Sequence, residues 1–334
     1  MTIITKKLIW NLCRRLAVSL GAILFALSHG LSLAQSFPSK TVRIVVPFAA
    51  GTGADIFART LSSKFSEAWG QTVVVDNITG AGGLLGSQTV GNALPDGHTL
   101  LLAATSWAVA PSLYAKPPYD PLRDFVPIGR IGFIPSVIVV NPSLPVSDLK
   151  QLIELARAKP GQLNYSSSGK GSPSHLFVEY LKAAAKIDIL EVPYKISSQA
   201  LTDVMAGLVT LNQPILSAAL PQIRAGRLKA LAVTTSTRSA VAPEIPTVAE
   251  SGGLPGFEAA QWQGFVAPAG TPAAVVARIN ADLNRILQLP DVKQRIGGLG
   301  LEFALTSPSE FASDIRADIA KWSQLIKSLS LPLD

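Results

Sequence analysis

The chain has 334 residues, enough for one large or two medium domains with a substantial core. Its formal charge is +7, but Lys6, Lys7, Arg14 and Arg15 lie in the first 34 residues, so the remainder carries about +3 by the same count (7 − 4) and has no long basic run; a nucleic-acid partner is not expected. The single cysteine, Cys13, lies in that same segment, and the two later histidines, His98 and His175, are far apart with no acid at ligand spacing, so no disulfide, metal or cofactor is expected either.

Residues 1–34 combine a basic start, an apolar run over 16–27 and the small-residue pattern Ser32-Leu33-Ala34. This is the pattern of a secretory signal peptide cut near Ala34, because the apolar run is shorter than the ~18 residues needed to span a bilayer. The protein is therefore expected to be exported, with Arg14-Arg15 leaving both general and twin-arginine export open.

Beyond the signal, short β-branched runs alternate with helical patterns. Strands are expected at 41–47, 72–76, 99–104, 137–140, 163–166, 189–192, 209–212, 228–233 and 264–267, their shortness fitting buried, largely parallel strands. Phe57, Leu61, Phe65 and Ala68 recur at helical spacing, as do Leu149, Leu152, Ile153 and Ala156 behind an expected cap at Ser147. Thr271-Pro272 opens a late helix, and Ser307-Pro308-Ser309-Glu310 is a capping box before a long final one. No repeat or flexible tether separates two halves. Two sheets are nevertheless implied, joined by crossings near 136–139 and 261–265, so that residues 36–137 plus 262–334 form one lobe and 138–261 the other.

In open α/β sheets ligands sit past the carboxyl ends of strands, where helix amino termini offer free N–H groups. Three loops have that design: 49–55, 77–86 and 166–175. The third, Ser166-Ser-Ser-Gly-Lys-Gly-Ser-Pro-Ser-His175, gathers hydroxyls, glycines and backbone N–H groups suited to a carboxylate or phosphate. Taken singly, each loop also reads as a plain glycine turn.

Two enzyme readings compete. Gly51-x-Gly53 after a strand, with Asp76 ending the next one, imitates a dinucleotide fingerprint, but Ile56 occupies the third glycine position. Serines abound, yet there is no Gly-x-Ser-x-Gly elbow, and nothing in the sequence pairs a histidine with a nucleophile. An exported enzyme using the Gly51 turn, nucleotide-dependent or hydrolytic, stands as the alternative to a non-catalytic binding protein.

The chain resembles the Bug-type periplasmic solute-binding receptors of tripartite tricarboxylate transporters over nearly all of its mature length. The marks are Val45-Val-Pro-Phe48 with Ala50-Gly51, Asp55 and Ala58-Arg59; Gly80-Ala-Gly-Gly83; Pro95-Asp-Gly97; Pro118-Tyr-Asp120; Asn164-Tyr165 through Gly169, Gly171-Ser172 and His175; Val192-Pro-Tyr-Lys195; and Pro246-Thr-Val-Ala-Glu250. The resemblance implies a two-lobed periplasmic-binding-protein-like α/β fold, each lobe a mainly parallel sheet flanked by helices, with a ligand cleft between them. It also implies a periplasmic monomer that binds a small organic acid or amino acid and hands it to a membrane permease, or reports it to a membrane sensor. Carried over by position, Ala50, Gly51 and Asp55 form one jaw and Ser167, Ser168, Gly171, Ser172 and His175 the other; Thr52, Gly82 and Ser106 complete the candidate set.

The sequence departs from the family pattern where Thr52 replaces a glycine, Ala49 a proline and Ala54 a hydroxyl residue; Ile196-Ser197 and Glu191 are further departures. Thr52 is expected to resist the positive φ that glycine allows. Asp55 is expected either to cap its helix or to receive a ligand ammonium.

Overall fold

The computed structural model describes residues 37–329, so the expected signal peptide lies outside the described residues. From Lys40 onward the chain forms one contact unit. It runs through β1 (Val42–Val46), α1 (Gly53–Trp69), β2 (Val73–Asn77), α2 (Leu84–Gly91), β3 (Thr99–Ala104), α3 (Thr105–Val109) and β4 (Phe125–Ile134). Next come β5 (Val137–Val140), α4 (Leu149–Ala158), β6 (Asn164–Ser167), α5 (Pro173–Ala185), β7 (Leu190–Pro193), α6 (Ser197–Met205), β8 (Leu211–Asn212), α7 (Leu216–Arg224), β9 (Lys229–Val233) and α8 (Val248–Gly252). The chain ends with β10 (Gln261–Pro268), α9 (Ala273–Ile286), α10 (Pro290–Gly297), β11 (Glu302–Phe303) and α11 (Pro308–Ser328).

Two sheets result. The first has the order β11-β4-β10-β3-β1-β2 and the second β7-β6-β8-β5-β9. The mainly parallel character expected of both is confined to one half of each. β1 runs parallel to β2 and β3, and β6 to β7 and β8, while β10, β4, β11, β5 and β9 join antiparallel. The parallel halves matter for function, because they bring the carboxyl ends of β6, β7 and β8 side by side, each leading directly into a helix.

The expected strands are present, those at 99–104 and 137–140 with the expected bounds and the others with shifted ends, but β4 and β11 were not anticipated. The segment Phe-Val-Pro-Ile-Gly-Arg-Ile-Gly-Phe-Ile of β4 hides a strand behind a proline and two glycines. Pro127 sits opposite Val266 at a register shift, where a missing ladder hydrogen bond is tolerated. At Gly132 a Cβ would lie 2.1 Å from the Glu302 carbonyl of β11, so the glycine permits that close strand approach.

Asp148, not Ser147, caps α4: its carboxylate accepts from Gln151 N at 2.8 Å, and Ser147 N instead donates to the Gln151 side chain. The capping box of α11 forms as expected, with Ser307 and Glu310 bonding each other's backbone N–H. α11 then packs on both sheets' layers. Its first half meets β4 and presents Phe311 and Ile315 to a cluster with Trp107, Phe125 and Trp262; Trp322, Leu325 and Ile326 join Phe177 and Leu181 in a second cluster. Trp322 stacks on Phe177 at 5.1 Å between ring centres.

Candidate functional site

The first loop is a self-contained cap. Thr52 is the N-cap of α1 with φ −72°, and Gly51 supplies the left-handed residue at φ +83°, so the expected backbone conflict at Thr52 does not arise. The Thr52 hydroxyl donates to the Ala49 carbonyl at 2.8 Å. Asp55, 3 % exposed, accepts from Gly51 N at 2.9 Å, Arg59 Nε at 3.0 Å and Asn77 Nδ2 at 2.9 Å. Burial opposes its charge, but the bonds from Arg59, Gly51 and Asn77 outweigh it and hold the carboxyl below the usual range. With these three donors, Asp55 fixes the loop.

The second expected jaw is built differently. β6 ends at Ser167, and Ser172 caps α5 by accepting from His175 N at 3.3 Å. Ser167 Oγ donates to the Glu191 carboxylate and accepts from Gly169 N at 2.9 Å. Ser168 N donates to Ser174 Oγ at 2.9 Å, and Gly171 N donates to His175 Nδ1 at 3.3 Å. His175 is 4 % exposed; with Nδ1 accepting, its proton belongs on Nε2, which faces Glu191 Oε2 at 3.8 Å. Burial holds its pKa below the ordinary histidine value, against the opposing charges of Glu191 and Glu179. Among the described residues no serine hydroxyl pairs with this imidazole as a nucleophile would. Among the described residues no cluster of metal-binding side chains occurs.

Two chambers lie on either side of Pro173. The larger, about 480 Å³, is lined by Ser167, Ser168, Ser174, Ser197, Ser198, Asn212, Gln213 and Gln261, and none of its lining residues is charged. Three helix amino ends meet there: Pro173 and Ser174 open α5, Ser197 and Ser198 open α6, and Ile215 caps α7. Neither α6 nor α7 has a side-chain cap. Leu216 N at the start of α7 donates to the Pro135 carbonyl at 2.8 Å, and Gln199 N and Ala218 N bond back to the Ile196 and Ile215 carbonyls, which leaves Ser197 N and Ser198 N on α6 without an acceptor among the described residues. Gln213 is 5 % exposed, and its Nε2 has no acceptor among the described residues. The smaller chamber, about 240 Å³, is bounded by Gly82, Thr105, Ser106, Gly171 and a group of apolar side chains including Phe177 and Trp322.

The structure thus places Ser167 and Ser168 in the larger chamber and Gly82, Ser106 and Gly171 in the smaller. Ser172 and His175 hold the turn between them. Ala50, Gly51 and Thr52 are exposed, and with Asp55 they line neither chamber. Gln213, Asn212, Ser198 and Gln261 escaped sequence reasoning, although Gln213 follows the end of β8 just as the recognised loops follow their strands.

Comparison with known proteins completes the picture. Residues 57–331 match the family described as "TctC: Tripartite tricarboxylate transporter family receptor". A UPF0065 protein in the tcbD-tcbE intergenic region of Pseudomonas sp. (strain P51) is 40% identical over 310 residues, 92% of each chain. Protein BugT of Bordetella pertussis is 33% identical over 97% of this chain and 99% of its own. The solved structure of R. palustris Rpa4515 with adipate is 34% identical, with a TM-score of 0.69 over 87% of this chain and 97% of that one. On these matches, the chain belongs to the Bug-type receptors of the tripartite tricarboxylate transporter family.

Proposed function

We propose that the protein is a periplasmic, non-catalytic receptor that captures a small carboxylate-bearing solute between two lobes and delivers it to a membrane permease. The convergence of three helix amino ends on the serine-lined chamber carries this reading. Helix dipoles and free N–H groups favour an anion without any paired cation, and hydroxyl and amide donors add charge-assisted hydrogen bonds. Gln213 strengthens it, since a buried donor left unpaired is costly until an acceptor arrives. Adipate bound to the R. palustris relative is a carboxylate of the same kind.

In this reading residues 36–137 and 262–334 form one lobe and 138–261 the other, with the end of α11 docked on the second, and the receptor acts as a monomer. No described helix is long and apolar enough to cross a membrane. The test is a thermal-shift panel of mono-, di- and tricarboxylates and amino acids on purified protein: a ligand at 100 times its Kd stabilises by about 2.7 kcal/mol. Gln213→Ala is expected to weaken the best ligand at least about tenfold, the loss of a hydrogen bond to a charged group. If no carboxylate raises the melting temperature, the reading fails.

A further inference from the structure

The smaller chamber is a recess of about 240 Å³, open on one side and walled mainly by apolar side chains. Its walls are Val109, Leu113, Leu176, Phe177 and Trp322, with Thr105 and Ser106 at one side and no charged lining residue. An apolar cavity of roughly 150 Å³ is enough to take benzene. The stacked pair Phe177 and Trp322 offers aromatic surface to a further ring. Trp322 is 1 % exposed, and its indole N–H has no acceptor among the described residues. The rim residue Ala81 is held at φ +45°, a strained conformation for a non-glycine residue that tends to persist at functional sites.

The chamber also touches both sides of the cleft. Ala81, Gly82 and Ser106 come from the layer of the first sheet, and Gly171 and Pro173 from the turn that also borders the serine chamber. A solute whose carboxylate is held at that turn can therefore reach into the apolar chamber with its other end. A second carboxylate entering there would find few side-chain hydroxyls and the Trp322 indole N–H among apolar walls, and so would lose most of its hydration uncompensated.

We infer that the apolar chamber beside Pro173 is a specificity subsite for the hydrocarbon body of the solute, and that the preferred ligand is a one-ring aromatic monocarboxylate. The inference rests on the carboxylate-receptor reading above and narrows its solute class.

Isothermal titration of the mature protein with benzoate, succinate and adipate tests it. Benzoate is expected to bind at least about tenfold more tightly than either dicarboxylate, the scale of discrimination that apolar contacts achieve. Val109→Phe, which fills the chamber, is expected to weaken benzoate about tenfold and leave the dicarboxylates nearly unchanged. Should that variant fail to fold, Leu113→Ala, which removes a wall contact, is expected to act in the same direction. Benzoate binding should also perturb tryptophan emission, and the change should shrink in Trp322→Phe. A dicarboxylate that binds as tightly as benzoate, or Val109→Phe and Leu113→Ala proteins that fold and bind benzoate normally, overturns the subsite while leaving the receptor intact. If none of these acids nor any other carboxylate binds, both readings fall.

Discussion

His175 shows how a single protonation state can hold a strand-to-helix turn in place. Its Nδ1 accepts from Gly171 N, so a proton on that nitrogen would set two donors against each other. The surrounding charges divide, Glu191 and Glu179 favouring protonation and Lys182 and Lys170 opposing it, but burial prevails and lowers the pKa. The unfolded chain, titrating near the ordinary value of 6.5, then binds more protons than the folded one at lower pH. Stability from this group is therefore present above about pH 6.5 and is lost as pH falls below it. The melting temperature of wild-type protein is expected to drop by a few degrees more than that of His175→Gln between pH 7.5 and 5.5, since glutamine can still accept from Gly171; equal drops would remove His175 from the account. The burial of His175 could not be read from the sequence, though its position in the first turn of α5 could. Thr52 misled in the opposite way: its φ was assigned by analogy with glycine, whereas Gly51 takes the left-handed conformation and frees Thr52 to cap the helix.

Among the elements, the parallel strands were legible because each is a short apolar run followed by a helix with clear periodicity. The antiparallel β5, β9 and β10 were legible as well, whereas β4 and β11 were not, since β4 owes its place to partners far away in the chain. Pro127 and Gly132 weaken its local signal, yet the register with β10 and the contact with β11 make both residues acceptable. Gly132→Ala is accordingly expected to displace the β11 edge and cost about 1–3 kcal/mol of stability in urea unfolding, the range for overpacking. An unchanged midpoint would mean that β11 yields freely. The same dependence on distant neighbours explains why Gln213 was overlooked: β8 is only two residues long, and its importance comes from lying beside β6 with its end at the chamber.

For the molecule as a whole, a ligand shifts an open–closed equilibrium only by the contacts it adds in the closed state. The apolar chamber already has walls from the layers of both sheets, through Gly82 and Ser106 on one side and Gly171 and Phe177 on the other. Saturating ligand is expected to slow amide exchange together in the 80–84 and 168–175 segments, as hydrogen-exchange mass spectrometry can resolve. Protection of only one segment would place the ligand on a single lobe. The two-lobed plan was readable from the order of the βα units. The apolar chamber was not, because α3, α5 and α11 meet there from widely separated parts of the chain.

The serine-lined chamber has one more consequence. An anion held by uncapped helix ends, hydroxyls and amides, with no lysine or arginine on the wall, is gripped by short-range dipoles that mobile ions screen poorly. Such a receptor draws little help from long-range steering, so its capture rate should sit in the ordinary range for unassisted encounters and change little between dilute and saline surroundings. A bacterium relying on it would keep nearly the same appetite for its solute in fresh or brackish water.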